Sequence, residues 1–198
     1  PTEKGPGAPI SANNEYGQAP DPKTVTSKSL KAQYQDEYIL GFDKALNDQW
    51  NYGAKATYRS LKNAIDDTCN IELFSELAAA QGLPVDNLRG CYFFNPGRAV
   101  DFAVADGNGG FQNLHIDNAT LGFPHVKRNY YGLNMYLEHP FDGTWFGRID
   151  YTYSKSYGNT EGQVKSDIGQ SDIAATVDWD YPSLMDYSNG LLPNDRKH

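Results

Sequence analysis

A chain of 198 residues with a formal net charge of -8 and a pI near 4.9 has no basic surface with which to neutralise phosphates, which argues against nucleic acid as a partner. An aromatic content of 13%, with 14 Tyr and 19 Gly, suits turn-rich β structure and argues against a helical bundle. No stretch approaches the ~20 apolar residues of a membrane helix, although barrel strands carry so weak a hydropathy signal that this leaves a membrane protein open.

Residues 1–27 are rich in Pro, Gly, Ser and Asn and lack periodicity, which predicts a loop or tail. The chain opens without Met or a signal peptide, so it reads as mature, processed or excised material. From Leu30 to Phe42 the residues alternate: Leu30, Ala32, Tyr34, Tyr38, Leu40 and Phe42 fall on one face, with Asp36 as the exception. A polar turn is expected over Asp43 to Asp48, handing the chain to a second strand at Trp50 and closing a hairpin over residues 28–61.

That second strand alternates Trp50, Tyr52, Ala54, Ala56 and Tyr58 against Asn51, Gly53, Lys55, Thr57 and Arg59. The pattern recurs later, with Trp145, Gly147, Ile149, Tyr151 and Tyr153 against Phe146, Arg148, Asp150, Thr152 and Ser154. In both copies the apolar face opens on Trp and ends on Tyr eight residues later. Eight residues rising ~3.3 Å each, tilted by ~40°, climb about 20 Å, close to the ~25 Å apolar band of a membrane barrel with its aromatic girdles. The other strand of the later hairpin, residues 127–156, places Tyr131, Leu133, Met135 and Leu137 on one face and Asn134 and Glu138 on the other, with a turn at residues 139–144. Membrane-facing positions are therefore expected at Trp50, Tyr52, Tyr58, Leu133, Leu137, Trp145, Ile149, Tyr151 and Tyr153. Lumen-facing positions are expected at Lys55, Arg59, Asn134, Glu138, Arg148 and Asp150; for Lys55, Arg59, Arg148 and Glu138 ion pairing between neighbouring strands is the plainer role than substrate contact. The fold class is all-β: about four antiparallel strands of a transmembrane barrel, in two hairpins, with long, partly structured extracellular loops.

The loops span residues 62–126 and 157–198. Such lengths are uncommon in compact soluble domains, and short turns on one side with long loops on the other fit an outer-membrane barrel. In the first loop Asn70 is a candidate N-cap for a helix from Ile71 to Gln81, with Gly82 and Pro84 as stop signals. Cys69 and Cys91 predict a disulfide if the protein is exported, a cross-link contributing about 3 kcal/mol, the alternative being two buried thiols. Residues 98–105 and 111–116 flank Asp106-Gly-Asn-Gly-Gly110, a small hairpin outside the membrane. That turn lacks the later acidic ligands of a calcium loop.

The acids Glu161, Asp167, Asp172, Asp178, Asp180 and Asp186 could collect a cation, with a solvated loop as the plainer account. The four His have no metal-ligand spacing, no nucleophile or phosphate-loop motif occurs, and nothing places Asp66 and Asp67 across a cleft. No catalytic residue, cofactor or metal is expected.

The order of these segments also resembles TonB-dependent outer-membrane receptors, closest to the Oar-like group. The run from Leu30 to Asp43 followed by Trp50 to Leu61 is similar to a strand hairpin of that family. Phe94-Asn-Pro-Gly97, Leu121-Gly-Phe-Pro124, Tyr151-Thr-Tyr-Ser154 with Tyr157-Gly-Asn159, and Leu192-Pro-Asn-Asp-Arg-Lys-His198 resemble it too. The family carries a signal, a TonB box, a plug and a barrel of about 22 strands, so the resemblance implies an internal piece of the barrel. It further implies outer-membrane location, lipid contact, coupling to the TonB complex through parts absent from this chain, and capture of an extracellular ligand of unknown identity. The alternative is a soluble secreted β-rich carbohydrate-binding or adhesion module, with strand aromatics stacking on sugars.

Overall fold

The computed structural model describes residues 21–165, 169–170 and 172–196. Most of the expected tail, together with Asp167 and His198, lies outside them. Nine strands occur among the described residues, against the four barrel strands and one small loop hairpin expected. Four are long and antiparallel: β1 (Tyr34–Asn47), β2 (Trp50–Lys62), β7 (Arg128–His139) and β8 (Gly147–Gly158). The other five are short: β3 (Asp66–Thr68), β4 (Tyr92–Phe94), β5 (Val100–Ala105), β6 (Phe111–Ile116) and β9 (Gly190–Leu191). Apart from the β5–β6 hairpin, runs of two or three residues are too brief for alternation to show in a sequence. Helix α1 (Ile71–Ala80) begins at Asn70, whose side chain accepts from Leu73 N at 3.3 Å, and α2 (Asn118–Leu121) begins at Asp117.

The main sheet has the order β1-β2-β7-β8-β9, with β3–β4 and β5–β6 as separate pairs. It does not close among the described residues: β1 is an open edge, and β9 meets β8 only at Tyr157 and Gly158. β1 runs through Asp43–Asn47, where a turn was expected. Those polar residues stay in the ladder because they have partners there. Lys44 lies opposite Tyr52, and Asp43 Oδ1 accepts a 2.6 Å bond from Tyr136 OH. Tyr136 reaches β1 by crossing directly over Gly53, where any Cβ would stand 2.4 Å from its ring. The turn itself is tight, with Asn47 Oδ1 accepting from Gln49 N at 2.9 Å.

The main hydrophobic cluster lies outside the four long strands, which among the described residues bury one apolar side chain, Leu61 at the loop end of β2. The cluster gathers Phe74 and Ala78 of α1, Tyr92 and Phe94 of β4, Val100, Phe102 and Val104 of β5, Leu114 and Ile116 of β6, and Leu121 and Phe123. Trp179 and Met185, more than fifty residues further on, complete it. The two long connections therefore fold as one compact unit at one end of the sheet. Residues 21–30 join it through a parallel bridge between Thr26 and Phe93 and a bond from Lys28 N to Asp101 O. Cys69 and Cys91 are disulfide-bonded across the start of α1 and the start of β4.

Candidate functional site

The ladder register stacks side chains into rows that run straight across the sheet. On one face the rows read Tyr38, Tyr58, Tyr131, Lys155; then Leu40, Ala56, Leu133, Tyr153; then Phe42, Ala54, Met135, Tyr151; then Lys44, Tyr52, Leu137, Ile149. At the turn end Trp50, His139 and Trp145 form a ring cluster, with the imidazole stacked on Trp145 at 4.0 Å and Trp50 edge-on to it at 5.0 Å. Nothing covers this apolar face among the described residues: Leu40 is 80% exposed, Ile149 70% and Tyr38 65%. So large an open apolar surface demands a partner that is itself apolar.

The opposite face is polar and cross-linked. Arg148 makes a bidentate pair with Asp150 at 2.9 and 3.0 Å, reaches Glu138 across the strands at 2.8 Å, and lies over the Tyr136 ring at 4.4 Å. Arg59 pairs with Glu37 and lies over Tyr130. Asn134 donates to Thr152 Oγ1 at 2.6 Å, and Lys55 stands opposite Gly41 and Asn134 in the same row. The structure thus brings Trp50, Tyr52, Tyr58, Leu133, Leu137, Ile149, Tyr151 and Tyr153 to one face, with Trp145 just before β8. It places Lys55, Arg59, Asn134, Glu138, Arg148 and Asp150 on the other.

Three residues that sequence reasoning did not place join the sheet to the compact unit. Buried Asn95 accepts from Lys31 N at 2.7 Å and donates to the carbonyls of Lys31, Asn63 and Ala64. Asn159 accepts from Lys127 N and donates to His125 O, clamping the start of β7. Asp195 accepts from Ser156 N at 2.7 Å, returning the chain to β8. Each belongs to one of the short motifs quoted above. Two of them carry a common signal, an Asn beside Pro or Gly: Asn95 precedes Pro96 and Asn159 follows Gly158.

The compact unit contains a buried acid pair. Asp66 accepts from Thr176 N at 2.7 Å and Thr176 Oγ1 at 2.8 Å. Burial nevertheless pushes its carboxyl up to about 6. Burial, and then the charge of Asp66, push Asp67 up to about 7. Both folded values lie above the ordinary 3.8, so the fold binds these protons more tightly than the unfolded chain does. Their contribution is full below about pH 4 and is lost as pH rises to about 7. Asp101 and Asp117 are lowered by hydrogen bonds, so they act in the opposite direction, below about pH 4. The melting temperature of the compact unit should therefore be higher at pH 5 than at pH 8, and Asp67→Asn should raise the pH 8 value and flatten the slope. A melting point that climbs from pH 5 to pH 8 in the unsubstituted chain would contradict this.

The Asp106 carboxylate is engaged by Asn108 N and Gly110 N inside its own turn. Asp67, Cys69 and Cys91 offer ligand atoms close together, but both sulfurs are committed to the disulfide.

Fold and surfaces together define an amphipathic antiparallel wall, apolar on one side and charged on the other, carrying a disulfide-linked unit at the end away from its tight turns. The TonB-dependent transporter Oar of Myxococcus xanthus is 27% identical to this chain over 175 residues, an alignment covering 88% of this chain and 13% of that protein. The chain thus spans a small part of the relative's length. No family model and no solved structure matches it.

Proposed function

We propose that this chain forms part of the barrel wall of a TonB-dependent receptor/transporter in the outer membrane of a Gram-negative bacterium. The observation that carries the reading is the bare apolar face of four long strands, backed by a charged face and lacking any core of its own. A soluble β module would bury those strand aromatics between sheets, and here they stay open. The likeness to a protein named as a TonB-dependent transporter supports the same reading. In it Trp50, Tyr52, Tyr58, Leu133, Leu137, Trp145, Ile149, Tyr151 and Tyr153 meet lipid. Lys55, Arg59, Asn134, Glu138, Arg148 and Asp150 line the lumen. The unit built from residues 62–126 and 157–196 stands outside the cell and takes part in capturing a ligand, while other parts of the parent protein engage the TonB complex. The chain performs no catalysis.

The three Trp supply the test. Trp50 and Trp145 lie at the apolar rim, whereas Trp179 lies in the core of the compact unit. In vesicles of phosphatidylcholine brominated along its acyl chains, single-Trp variants retaining Trp50 or Trp145 should be strongly quenched, and the variant retaining Trp179 should not. Equal quenching of all three, or none at Trp50 and Trp145, would sink the reading.

A further inference from the structure

Above the tyrosine row at the loop end of the apolar face lies a cavity of about 530 Å³. Its lining brings together Lys62, Arg98, His125 and Lys127, with Tyr34 and Tyr58 at its apolar side. The gathering of the cations Lys62, Arg98 and Lys127 runs against the chain's net charge of -8. Among the described residues, no carboxylate is ion-paired with Lys62, Arg98 or Lys127. Arg98 Nη2 donates to Asn63 Oδ1 at 2.8 Å, which steadies the guanidinium without neutralising it. The acid nearest in the ladder is Asp36, opposite Ser60 on the same face. Ser60 and Asn129 add neutral polar groups to the lining.

A second cavity of about 410 Å³ lies directly below and shares Tyr58 with the first. Leu40, Ala56, Tyr131, Leu133 and Tyr153 line it, and it is almost wholly apolar. A cationic socket set on an apolar groove along one face matches a molecule with an anionic head and a hydrocarbon tail. Lys and Arg favour phosphate oxygens through charge-assisted hydrogen bonds, and long basic side chains at a bilayer rim reach naturally to headgroup level.

We propose that this pair of cavities is a binding site for a phosphorylated lipid of the surrounding leaflet. The headgroup phosphate is held by Lys62, Arg98 and Lys127, and an acyl chain lies along the groove between Leu40 and Tyr153. The site rests on the reading that this face meets lipid, but goes beyond it by selecting among lipids.

The test uses the whole chain in a neutral maltoside detergent, with bound lipid counted by native mass spectrometry. The probes are diphosphoryl lipid A, the same glycolipid with its phosphates removed, and inorganic phosphate. The diphosphoryl form should bind about tenfold more tightly than the dephosphorylated one, and excess inorganic phosphate should compete poorly. The triple variant K62Q/R98Q/K127Q should lose that preference. K44Q, which removes a cation from the same face at the far rim, should keep it. Raising the salt should weaken the unsubstituted chain's preference, a readout independent of whether the triple variant folds. Equal binding of the two lipid forms, or an unchanged triple variant, overturns the proposal. Tight binding of inorganic phosphate with no benefit from the acyl chains overturns it in favour of a soluble-anion site. Flotation with plain phosphatidylcholine vesicles separates the two levels: failure of the unsubstituted chain to float breaks the wall reading itself, whereas flotation without phosphate preference breaks only this one.

Discussion

Replacing Trp179 with Ala should cost the compact unit about 3–5 kcal/mol, the range for deleting a large aromatic from a packed interior. Trp179 is 1% exposed and packs against Phe123 at 5.9 Å, which in turn meets Phe94 at 5.3 Å. With Met185, it carries the segment after β8 into a core otherwise built between β2 and β7. Hydrogen bonds on both sides depend on its seating: Thr176 to Asp66, and Thr68 Oγ1 to the carbonyl of Asp180 at 3.1 Å. Urea unfolding of the detergent-solubilised, disulfide-intact chain should show the loss, and limited proteolysis should cut first between residues 172 and 190. Tyr187→Ala is the control, since that side chain is fully exposed in the same segment. A loss below about 1 kcal/mol for Trp179→Ala would mean that the two long connections are independent rather than one unit.

That union was the least legible feature of the sequence. Asp66 and Thr176 are separated by 110 residues, and no periodicity links two segments so far apart. The long strands were legible because one open face and one charged face impose strict alternation over ten or more residues, and the repeated Trp-to-Tyr span marks their height. Their ends were less so. Asp43, Lys44 and Asn47 have the composition of a turn, and only the cross-strand partners Tyr136 and Tyr52 show why they remain extended. The acid pair was visible as two adjacent carboxylates, but its burial depends on the distant Thr176. The cationic cavity was invisible for a related reason, since Lys62, Arg98 and Lys127 come from three different segments and meet only where the strands enter the loops.

The second large effect comes from reversing the chemistry of one face and not the other. Met135 lies in the central row of the apolar face, with Phe42, Ala54 and Tyr151 beside it. Thr152 lies one residue from Tyr151 along β8 and points to the opposite, charged face, opposite Asn134. If the apolar face meets acyl chains, Met135→Arg at about midplane should cost roughly 2–4 kcal/mol, because the guanidinium must be carried into hydrocarbon. Thr152→Arg adds the same charge at nearly the same height, but toward a face already bearing Lys55, Arg148 and Asp150. It loses one hydrogen bond from Asn134 and should cost about 1 kcal/mol or less. Urea titrations in phosphatidylcholine vesicles measure both. The contrast matters more than either value, since both variants introduce the same side chain and the same charge at nearly the same height. Equal costs would mean that the two faces see the same medium, as in a soluble domain. A large cost confined to Met135→Arg is the asymmetry that a wall between lipid and a wet lumen requires.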